Sequence, residues 1–367
     1  MSRIESLINE YCPAGVEYVK LESLVDYIQP TKYIVKSTNY NSKYNIPVLT
    51  AGQTFILGYT NEEEGIYRAN KQNPVIIFDD FMTTNHWVDF DFKVKSSAMK
   101  ILIPKTDNIF KYIYYCISNI SFIPKEHSRQ WIQNYSQFSI PLPPIEVQKE
   151  IVRILDKFGE LEAELEAELE ARKSQYEFWR GKLFSGIEYK KLSELADICT
   201  GSSNTNQALK EGNYPFYTRS QEIYYLNEYQ YDDESIITAG DGAGVGKTIH
   251  YVNGKYALHQ RAYRICPNKT ILLPKYLYYY MKKSFYNYIM GTAVNSSVTS
   301  IRRKMLDDYL IPVPPLEEQN RIIGILDKFD KLVNDISEGL PAEIEARRKQ
   351  YEYYRNKLLS FEEVSCE

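Results

Sequence analysis

Two stretches of the chain carry apolar residues at alternating spacings of three and four positions, which is the pattern of a coiled-coil helix. The first seam, which slips by four positions after Leu165, consists of Val147, Ile151, Ile154, Phe158, Leu161, Leu165, Leu169, Tyr176, Trp179 and Leu183. The second seam, which slips twice, consists of Ile322, Ile325, Phe329, Leu332, Ile336, Leu340, Ile344, Tyr351, Tyr354 and Leu358. Slips of four positions unwind a coiled coil locally and leave its seam intact.

Proline and glycine mark the ends of these predicted helices. Pro143 and Pro144 precede the first seam, and proline is favoured at the start of a helix. Gly339 and Pro341 interrupt the second seam, where glycine can end one helix and proline can open the next. The sequence therefore predicts one continuous helix and one helix that is broken near Gly339–Pro341. Because the seams match and each helix begins where its own half of the chain ends, we expect the two helices to pack antiparallel.

These helices belong to an internal repeat with an offset of 171 residues. The segment from Gly15, GVEYVKLESLVDYI, matches the segment from Gly186, GIEYKKLSELADIC. The segment from Ile140, IPLPPIEVQKEIVRILDKF, matches the segment from Ile311, IPVPPLEEQNRIIGILDKF. A third pair consists of ARKSQYEFWRGKLFS from Ala171 and ARRKQYEYYRNKLLS from Ala346. Two copies are too few for a solenoid, so we expect a pseudo-twofold molecule.

Between the repeated blocks the two halves differ, and each reads as mixed α/β. Strand-like runs are NPVIIFDDF, VDFDFKVK and AMKILI in the first half and SIITAG, TIHYV and AYRICP in the second. Each half continues with a tyrosine-rich helical stretch, NIFKYIYYCISN or PKYLYYYMKKSFYNYIM, then a polar loop and a short helix before the Pro-Pro junction.

The fold class that we predict is α/β (mixed α+β), with two globular domains that contain mixed sheets. Two long antiparallel coiled-coil helices would join these domains. The predicted boundaries are 1–144 and 186–315 for the domains, 145–185 and 316–360 for the helices, and 361–367 for a tail.

Composition leaves the chain among ordinary soluble proteins, with 44% hydrophobic and 25% charged residues. The 33 tyrosines suit strands and interfaces, although an AT-rich genome explains them equally well. No segment reaches the roughly 20 apolar residues of a membrane span, and the five scattered cysteines lack the spacing of a zinc site or a disulfide framework. We therefore expect a cytoplasmic protein.

The net charge of −4 is unevenly distributed along the chain. Residues 1–144 are neutral and residues 186–315 carry +3, whereas the helical segments 145–185 and 316–367 carry −3 and −4. Because DNA affinity needs local basic patches and not a global excess, nucleic-acid binding remains open.

The order and duplication of these blocks resemble the specificity (S) subunit of Type I restriction–modification systems. The residues that carry the resemblance are IPLPPIEVQ and IPVPPLEEQ, the paired ILDKF helices, and the two segments that begin at Ala171 and Ala346. No single motif is chemically specific, but the alternation of variable and repeated blocks covers nearly the whole chain.

The resemblance implies a non-catalytic subunit with two target-recognition domains, each of which reads one half of an interrupted site in double-stranded DNA. It also implies a helical spacer that sets the gap between the half-sites and docks two methyltransferase (M) subunits, with restriction (R) subunits joining that core. S-adenosylmethionine, ATP and Mg²⁺ would belong to those partners and not to this chain, which has no membrane role.

DNA contacts are nominated by residue type and place, because Arg and Lys suit guanine edges and phosphates while Asn and Gln suit adenine. The loops before the Pro-Pro junctions match at the same offset and nominate Arg129, Gln130, Asn295, Ser297, Arg302 and Arg303. Loops between the predicted strands nominate Lys71, His86, Arg219, Lys247, His259 and Gln260. In the spacer, the seam residues that we single out are Leu161, Leu165, Leu169, Ile336 and Ile344.

Two motifs resemble catalytic or nucleotide-binding sites. GDGAGVGKT (240–248) has Asp241 where a phosphate-binding loop needs glycine, and a strand-like segment comes after it in place of a helix; we predict a tight turn that presents Lys247. Asp79 or Asp80 with Asp91 and Lys93 has the spacing of metal-dependent nucleases, yet we expect Asp89, Asp91, Lys93 and Lys95 to share one solvated strand face. The four histidines, among them His127, have no ligand spacing.

These patterns leave two alternatives to a DNA-specificity subunit. The first is a coiled-coil interaction scaffold with no DNA role. The second is an autonomous metal-dependent nuclease. Retention of a specific DNA despite competitor DNA separates the specificity subunit from the scaffold, and magnesium-dependent cleavage by the isolated chain would favour the nuclease.

Residues Glu160–Ala171 are three consecutive copies of Glu-Leu-Glu-Ala, which suggests a length-dependent spacer. One copy adds about 6 Å of helix, comparable with one to two base pairs of DNA rise. We predict that deleting or adding one copy shifts the preferred gap between half-sites by one or two base pairs, as measured by methylome sequencing of the length variants. An unchanged gap would contradict this hypothesis.

Overall fold

In the computed structural model, residues 2–51, 54–124, 126, 128–292 and 300–364 are described, and the chain divides into two compact units. Unit 1 consists of Met1–Glu164 together with Glu345–Glu367, and unit 2 is Leu165–Ile344. Unit 1 is therefore assembled from both ends of the chain, whereas unit 2 is one continuous segment.

Nine α-helices lie in the described ranges. Their bounds are Arg3–Tyr11 (α1), Leu21–Leu24 (α2), Phe110–Asn119 (α3), Ile145–Lys182 (α4), Leu192–Leu195 (α5), Pro274–Gly291 (α6), Arg303–Asp307 (α7), Leu316–Asn334 (α8) and Leu340–Leu358 (α9). In the same part of the chain, no helix is both long and apolar enough to cross a membrane.

Nine strands lie among the described residues of unit 1. Their bounds are Tyr18–Lys20 (β1), Val25–Ile28 (β2), Ile46–Leu49 (β3), Ile56–Thr60 (β4), Val75–Asp79 (β5), Asn85–Val88 (β6), Lys93–Val94 (β7), Met99–Pro104 (β8) and Ser139–Pro141 (β9). They form an antiparallel sheet of order β2-β8-β5-β6, a mixed sheet of order β4-β3-β7 and the pair β1-β9.

The continuous apolar run of β5 is explained by burial on both faces of the sheet. Ile76 and Phe78 pack into the core beneath α3 and the first turns of α4. Val75 and Ile77 pack into a second core against the mixed sheet. A strand that is buried on both sides shows no polar alternation, which is why VIIF appears in the sequence as an uninterrupted apolar run.

Within the part of unit 2 that the structure describes there are eight strands. Their bounds are Tyr189–Lys191 (β10), Ala196–Thr200 (β11), Tyr214–Tyr217 (β12), Ile223–Leu226 (β13), Tyr231–Ala239 (β14), Ile249–Leu258 (β15), Ala262–Pro267 (β16) and Leu310–Pro312 (β17). Six of them form a mixed sheet of order β11-β16-β14-β15-β12-β13, in which β12 runs parallel to β15. β10 and β17 form a separate pair, as β1 and β9 do in unit 1.

In each unit a buried glutamine joins the exit helix to the α/β domain. The Gln148 Oε1 atom accepts the Ile109 N–H at 3.0 Å, and its Nε2 donates to the Pro143 carbonyl at 2.8 Å. In unit 2, the Gln319 Oε1 atom accepts the Leu273 N–H at 2.8 Å and its Nε2 donates to the Pro314 carbonyl at 2.8 Å. The repeated sequence thus builds the same junction twice.

The tyrosine-rich helices α3 and α6 complete these junctions with their hydroxyl groups. Tyr112 donates to the Pro141 carbonyl at 2.9 Å, and Tyr276 donates to the Pro312 carbonyl at 3.0 Å. One turn later, Tyr115 and Tyr279 each donate to an aspartate of the exit helix at 2.5 Å. These tyrosines therefore supply both apolar area and a buried hydrogen bond.

The helix predictions are confirmed in outline. α4 is continuous, and a break separates α8 from α9 between Asn334 and Leu340. Within unit 1, the Phe158 ring lies 5.5 Å from that of Tyr354, and Glu162 pairs with Arg348 at 2.6 Å. Rising numbers on one helix meet falling numbers on the other, so these segments pack antiparallel.

Burial along the seams corrects part of the predicted pattern. In α4 the line of buried residues passes through Leu155, whereas Ile154 is only half-buried, and Leu161, Leu165 and Leu169 are half-buried as well. Ile344 is buried, but Ile336 is 86% exposed, so its assignment to the seam is wrong. The reason is a turn after α8, where the Asp335 carboxylate accepts the N–H groups of Ser337 and Glu338.

Two further predictions about the α/β domains need correction. Unit 2 has the expected short helix before its junction, α7, whereas unit 1 has only a 3₁₀ turn at Tyr135–Gln137. The segment VDFDFKVK is not one strand with a solvated face. Lys93 is buried. Its ammonium group lies 2.9 Å from Glu62 and donates to the Glu64 carbonyl at 2.6 Å, and these contacts replace the water that a solvated lysine would bind.

The two ends of the chain meet within unit 1. The Val16 N–H donates to the Glu362 carbonyl at 2.8 Å, and the Val364 N–H donates to the Val16 carbonyl at 3.1 Å. The Tyr18 hydroxyl donates to the Phe361 carbonyl at 2.9 Å. Gly15 has φ +91°, and a Cβ at this position would lie 2.3 Å from the Glu362 carbonyl oxygen. Glycine therefore permits this close approach.

The glutamine junction generates a stability prediction. Gln319→Ala leaves buried backbone groups of the α6 entrance and the Pro-Pro segment without partners, so we expect the free energy of unfolding to fall by about 2–4 kcal/mol. Urea unfolding of the purified protein measures this change. The neighbouring Asn320→Ala, which removes an exposed side chain with one bond to the Leu316 carbonyl, serves as the control. Equal effects of the two substitutions would contradict the prediction.

Candidate nucleic-acid interface

Two hairpin loops occupy corresponding positions in the two units. The loop after β5 (80–84) leads into β6, and the loop after β14 (240–248) leads into β15. In each case the carbonyl of the first loop residue accepts a backbone N–H from the segment before the exit helix. Gln130 donates to Asp80 at 2.8 Å, and Ile301 donates to Gly240 at 2.7 Å. The loops differ in sequence but are anchored in the same way.

In unit 2 a single carboxylate organises the loop cluster. Asp241 lies 2.6 Å from the guanidinium of Arg219 and 3.2 Å from that of Arg261. Although burial opposes ionisation of Asp241, the bonds from Arg219 and Arg261 hold its pKa below the ordinary value. Asp241 is therefore a carboxylate at neutral pH, and it brings two cations from different loops together.

Amide and imidazole groups lie beside these arginines. Gln260 donates to the side-chain oxygen of Asn204 at 2.5 Å. The buried His259 ring accepts the Arg261 backbone N–H on Nδ1 at 3.0 Å. Together with Arg219 and Arg261, these residues line an open cavity of about 450 Å³. The cleft thus combines guanidinium groups with amides, which are the side chains that recognise base edges.

The glycine-rich segment 240–248 is a tight turn between antiparallel strands, as the sequence predicts, and no phosphate-binding loop. The chain continues from it into β15 and not into a helix. A Cβ on Gly244 would lie 2.3 Å from the Arg219 carbonyl oxygen, so glycine allows the Arg219 loop to approach closely. Lys247 is exposed, with its ammonium group 5.6 Å from the centre of the Tyr286 ring.

In unit 1 the corresponding loop is organised by Asp80, which is fully buried. Its carboxylate accepts the Trp131 N–H at 2.9 Å and lies 3.2 Å from Arg129 and 3.5 Å from Lys100. Burial lowers the pKa of Lys100, and the nearby charge of Asp80 opposes that shift. The preceding Asp79 accepts the N–H groups of Phe81 and Met82 at 2.8 and 3.0 Å and so shapes the turn.

These contacts separate the carboxylates that resembled a nuclease site. Asp79 is used in the turn, Asp80 in the buried ion pairs, and Asp91 pairs with Arg68. Lys93 forms an ion pair with Glu62. Within the ranges that the structure describes, no group of three or more His, Cys, Asp or Glu residues could hold a metal ion. The spacing in the sequence therefore does not correspond to a cluster in space.

The remaining nominated residues fall into distinct environments. Gln130 is buried, and its amide bonds Ser128 and Asn134, so it supports its loop. Arg303 is held by Asp307 at 2.7 Å and by the Ile198 carbonyl at 2.5 Å.

Of the five other nominated residues, three lie within the described ranges and two lie outside them. Lys71 and Arg302 are exposed. His86 is half-buried and stacks on Phe55 at 3.9 Å. Asn295 and Ser297 lie outside the described residues.

Sequence reasoning brought forward four residues of the unit 2 cluster and missed its central carboxylate, Asp241, and two others. Arg219, His259 and Gln260 line the same cavity, and Lys247 lies with Arg219 beside the neighbouring cavity. Arg261 and Asn204 were missed. Arg261 directly follows the nominated His259-Gln260 pair, and this position at the turn between two strand-like runs was the signal that could have identified it.

Comparisons with known proteins agree with this architecture. The family model for the Type I restriction modification DNA specificity domain matches residues 13–171 and 185–346. The chain is 43% identical to the Type I restriction enzyme EcoR124I/EcoR124II specificity subunit of Escherichia coli, over 98% of this chain and 97% of that protein.

Two solved structures have the same fold. The Type-I restriction-modification S subunit from M. genitalium has a TM-score of 0.61 at 14% identity, with 94% of this chain and 96% of that chain covered. A chain from a study of complex assembly and conformational transition of the type I R-M system has a TM-score of 0.59 at 17% identity, with 95% and 98% covered.

The described histidines generate a pH prediction. Burial lowers the pKa of His86, His250 and His259 from the ordinary value of 6.5. Below about pH 6.5 the unfolded chain therefore binds more protons than the folded chain, and the free energy of unfolding should fall as the pH falls. Urea unfolding at about pH 7.5 and about pH 5.5 measures the loss. His259→Gln should reduce this dependence, and a stability that rises on acidification would contradict the prediction.

Proposed function

Since the chain belongs to the specificity subunits of Type I restriction–modification systems, which are their non-catalytic components, we propose that it recognises a bipartite, interrupted site in double-stranded DNA. Unit 1 reads one half-site and unit 2 reads the other. The observation that carries the proposal is that each unit has a matching glutamine junction, whereas the loop clusters of the two units differ in chemistry.

The contrast between the junctions and the loops supports a division of labour. Gln148 and Gln319 make matching bonds in the two units. The hairpin loops of the two units share no sequence, since the loop of unit 1 contains Asp80 and Met82 and the loop of unit 2 is the glycine-rich segment 240–248. A frame of constant geometry that carries two different reading surfaces is what recognition of two different half-sites requires.

The spacing of the half-sites is assigned to the helices. The boundary between the units falls inside α4, between Glu164 and Leu165. This boundary lies within the repeated Glu-Leu-Glu-Ala segment. A helix has a fixed rise of about 1.5 Å per residue, so the number of repeats converts into a defined length, which supports a role as a ruler.

The catalytic steps are assigned to partner subunits. We propose that two methyltransferase subunits dock on this chain and that restriction subunits join them, with S-adenosylmethionine, ATP and Mg²⁺ bound by those partners. The dispersal of the nuclease-like carboxylates in unit 1 supports this assignment, because Asp79, Asp80 and Asp91 each have a structural partner.

The test is methylome sequencing of the host beside a strain that lacks this gene. We expect N6-methyladenine to disappear from one interrupted sequence motif, which would reveal both half-sites and the gap together. Complementation with the intact gene should restore the motif. If no motif depends on the gene in a host with active methyltransferase subunits, the proposal fails and a scaffold without a DNA role takes its place.

A further inference from the structure

One carboxylate is shared by two cations at the corresponding hairpin loop of each unit. In unit 1, Asp80 lies 3.2 Å from Arg129 and 3.5 Å from Lys100. In unit 2, Asp241 lies 2.6 Å from Arg219 and 3.2 Å from Arg261. These residues do not correspond in the repeat, because at the offset of 171 residues Asp80 falls on Tyr251 and Arg129 falls on Ser300. The same electrostatic arrangement has therefore been built twice from different residues.

Within each group the two cations differ in how much of their side chain is exposed. The Arg129 and Arg261 side chains are 44% and 61% exposed, whereas those of Lys100 and Arg219 are 1% and 40% exposed. Arg129 and Arg261 each keep part of the guanidinium group in solvent while they are paired, so they can offer hydrogen-bond donors to a ligand. In unit 2 one carboxylate faces two guanidinium groups, so this loop cluster retains a positive charge that attracts DNA.

We propose that Arg129 and Arg261 are base-reading residues for the two half-sites and that Asp80 and Asp241 are their positioning residues. The inference rests on the proposed function, since it requires these loops to face DNA. A guanidinium group donates two parallel hydrogen bonds to the O6 and N7 atoms of guanine in the major groove. A carboxylate that holds the arginine at one nitrogen restricts its rotation and leaves other donors available.

The groups around each arginine favour base reading over phosphate binding. Arg261 shares its cleft with the hydrogen-bonded amides of Gln260 and Asn204, and amides recognise adenine edges. In unit 1 the loop tip presents Met82 at 65% exposure, and an apolar side chain suits the thymine methyl group. Each unit thus combines an exposed arginine with a different neighbouring group, amides in unit 2 and an apolar side chain in unit 1. Recognition of two unlike half-sites requires such a difference.

The loop of unit 1 is also held in a strained conformation. Thr83, next to Met82, has φ +62°, which is costly for a β-branched residue. The Thr83 N–H donates to the Asp79 carbonyl at 2.9 Å, and this bond helps to hold the turn. Strain that is maintained at a loop tip is typical of a preorganised binding element.

The experiment replaces the gene with point variants in a host that contains the native partner subunits and measures methylation at every site. For Arg261→Ala we expect selectivity for guanine to fall roughly 5- to 100-fold at one position of one half-site. The other half-site and the gap should not change. Arg129→Ala should relax one position of the opposite half-site.

The positioning role of Asp241 has its own readout. Asp241→Asn should relax the same base position as Arg261→Ala, and the double variant should be no worse than Arg261→Ala, because the carboxylate acts through the arginine. A merely structural role would lower methylation at all sites alike and leave the base preference intact. Lys269→Ala is the control, since this exposed lysine pairs with Glu234 at 2.7 Å near the other end of β14, and it should preserve the motif.

Three results would overturn the inference. An unchanged motif in both arginine variants refutes the inference. In that case the proposed function still holds, provided that the wild-type motif depends on the gene. Equal weakening at all sequences, with a smaller salt dependence of DNA binding, assigns the arginines to phosphate contacts. If Arg129→Ala and Arg261→Ala relax the same half-site, the assignment of one half-site to each unit is contradicted.

Discussion

The rest of each unit depends on a buried glutamine at the start of its exit helix. A primary amide that is removed from water is costly unless its donors and acceptor are bonded. Gln148 and Gln319 are both fully buried, and each bonds the entrance of a tyrosine-rich helix and the carbonyl of the Pro-Pro segment at once. One side chain therefore sets the position of the exit helix relative to the sheet. Because these hydrogen bonds tolerate little displacement of the exit helix, the junction keeps the same geometry in both units although their loops differ.

Tyrosine extends this frame because it combines apolar area with a hydroxyl group. Tyr115 and Tyr279 reach aspartates of the exit helices, and burial raises the pKa of both phenols well above the ordinary value. They remain protonated donors at any physiological pH. The abundance of tyrosine thus has a structural use in α3 and α6, whatever the base composition of the gene contributes.

The sequence predicts those features that depend on local periodicity and on the repeat. The continuous α4, the break after α8 and the apolar strands can be deduced from patterns within short windows. Features that depend on distant partners cannot. Ile336 continued the seam in the sequence, yet an aspartate turn removes it from the helix. Lys93 looked solvated because its partner, Glu62, lies on a different segment. Gln130 and Arg261 are both loop residues, and only long-range contacts make one buried and the other exposed. Which nominated residues touch DNA stays a prediction.

The pairing of the chain ends has a consequence for the order in which the protein is completed during synthesis. Unit 1 needs Glu345–Glu367, and its core includes Leu358 and Leu359 from the last helix. Ribosomes synthesise the chain starting from its amino end, whereas the contact between Tyr18 and Phe361 joins residues nearly a whole chain length apart. Unit 2 has all its residues once Ile344 has been translated, before the Glu345–Glu367 segment that unit 1 needs. The domain that is made first is therefore finished last, and a chain that stops short of its final helix leaves that domain with an open core.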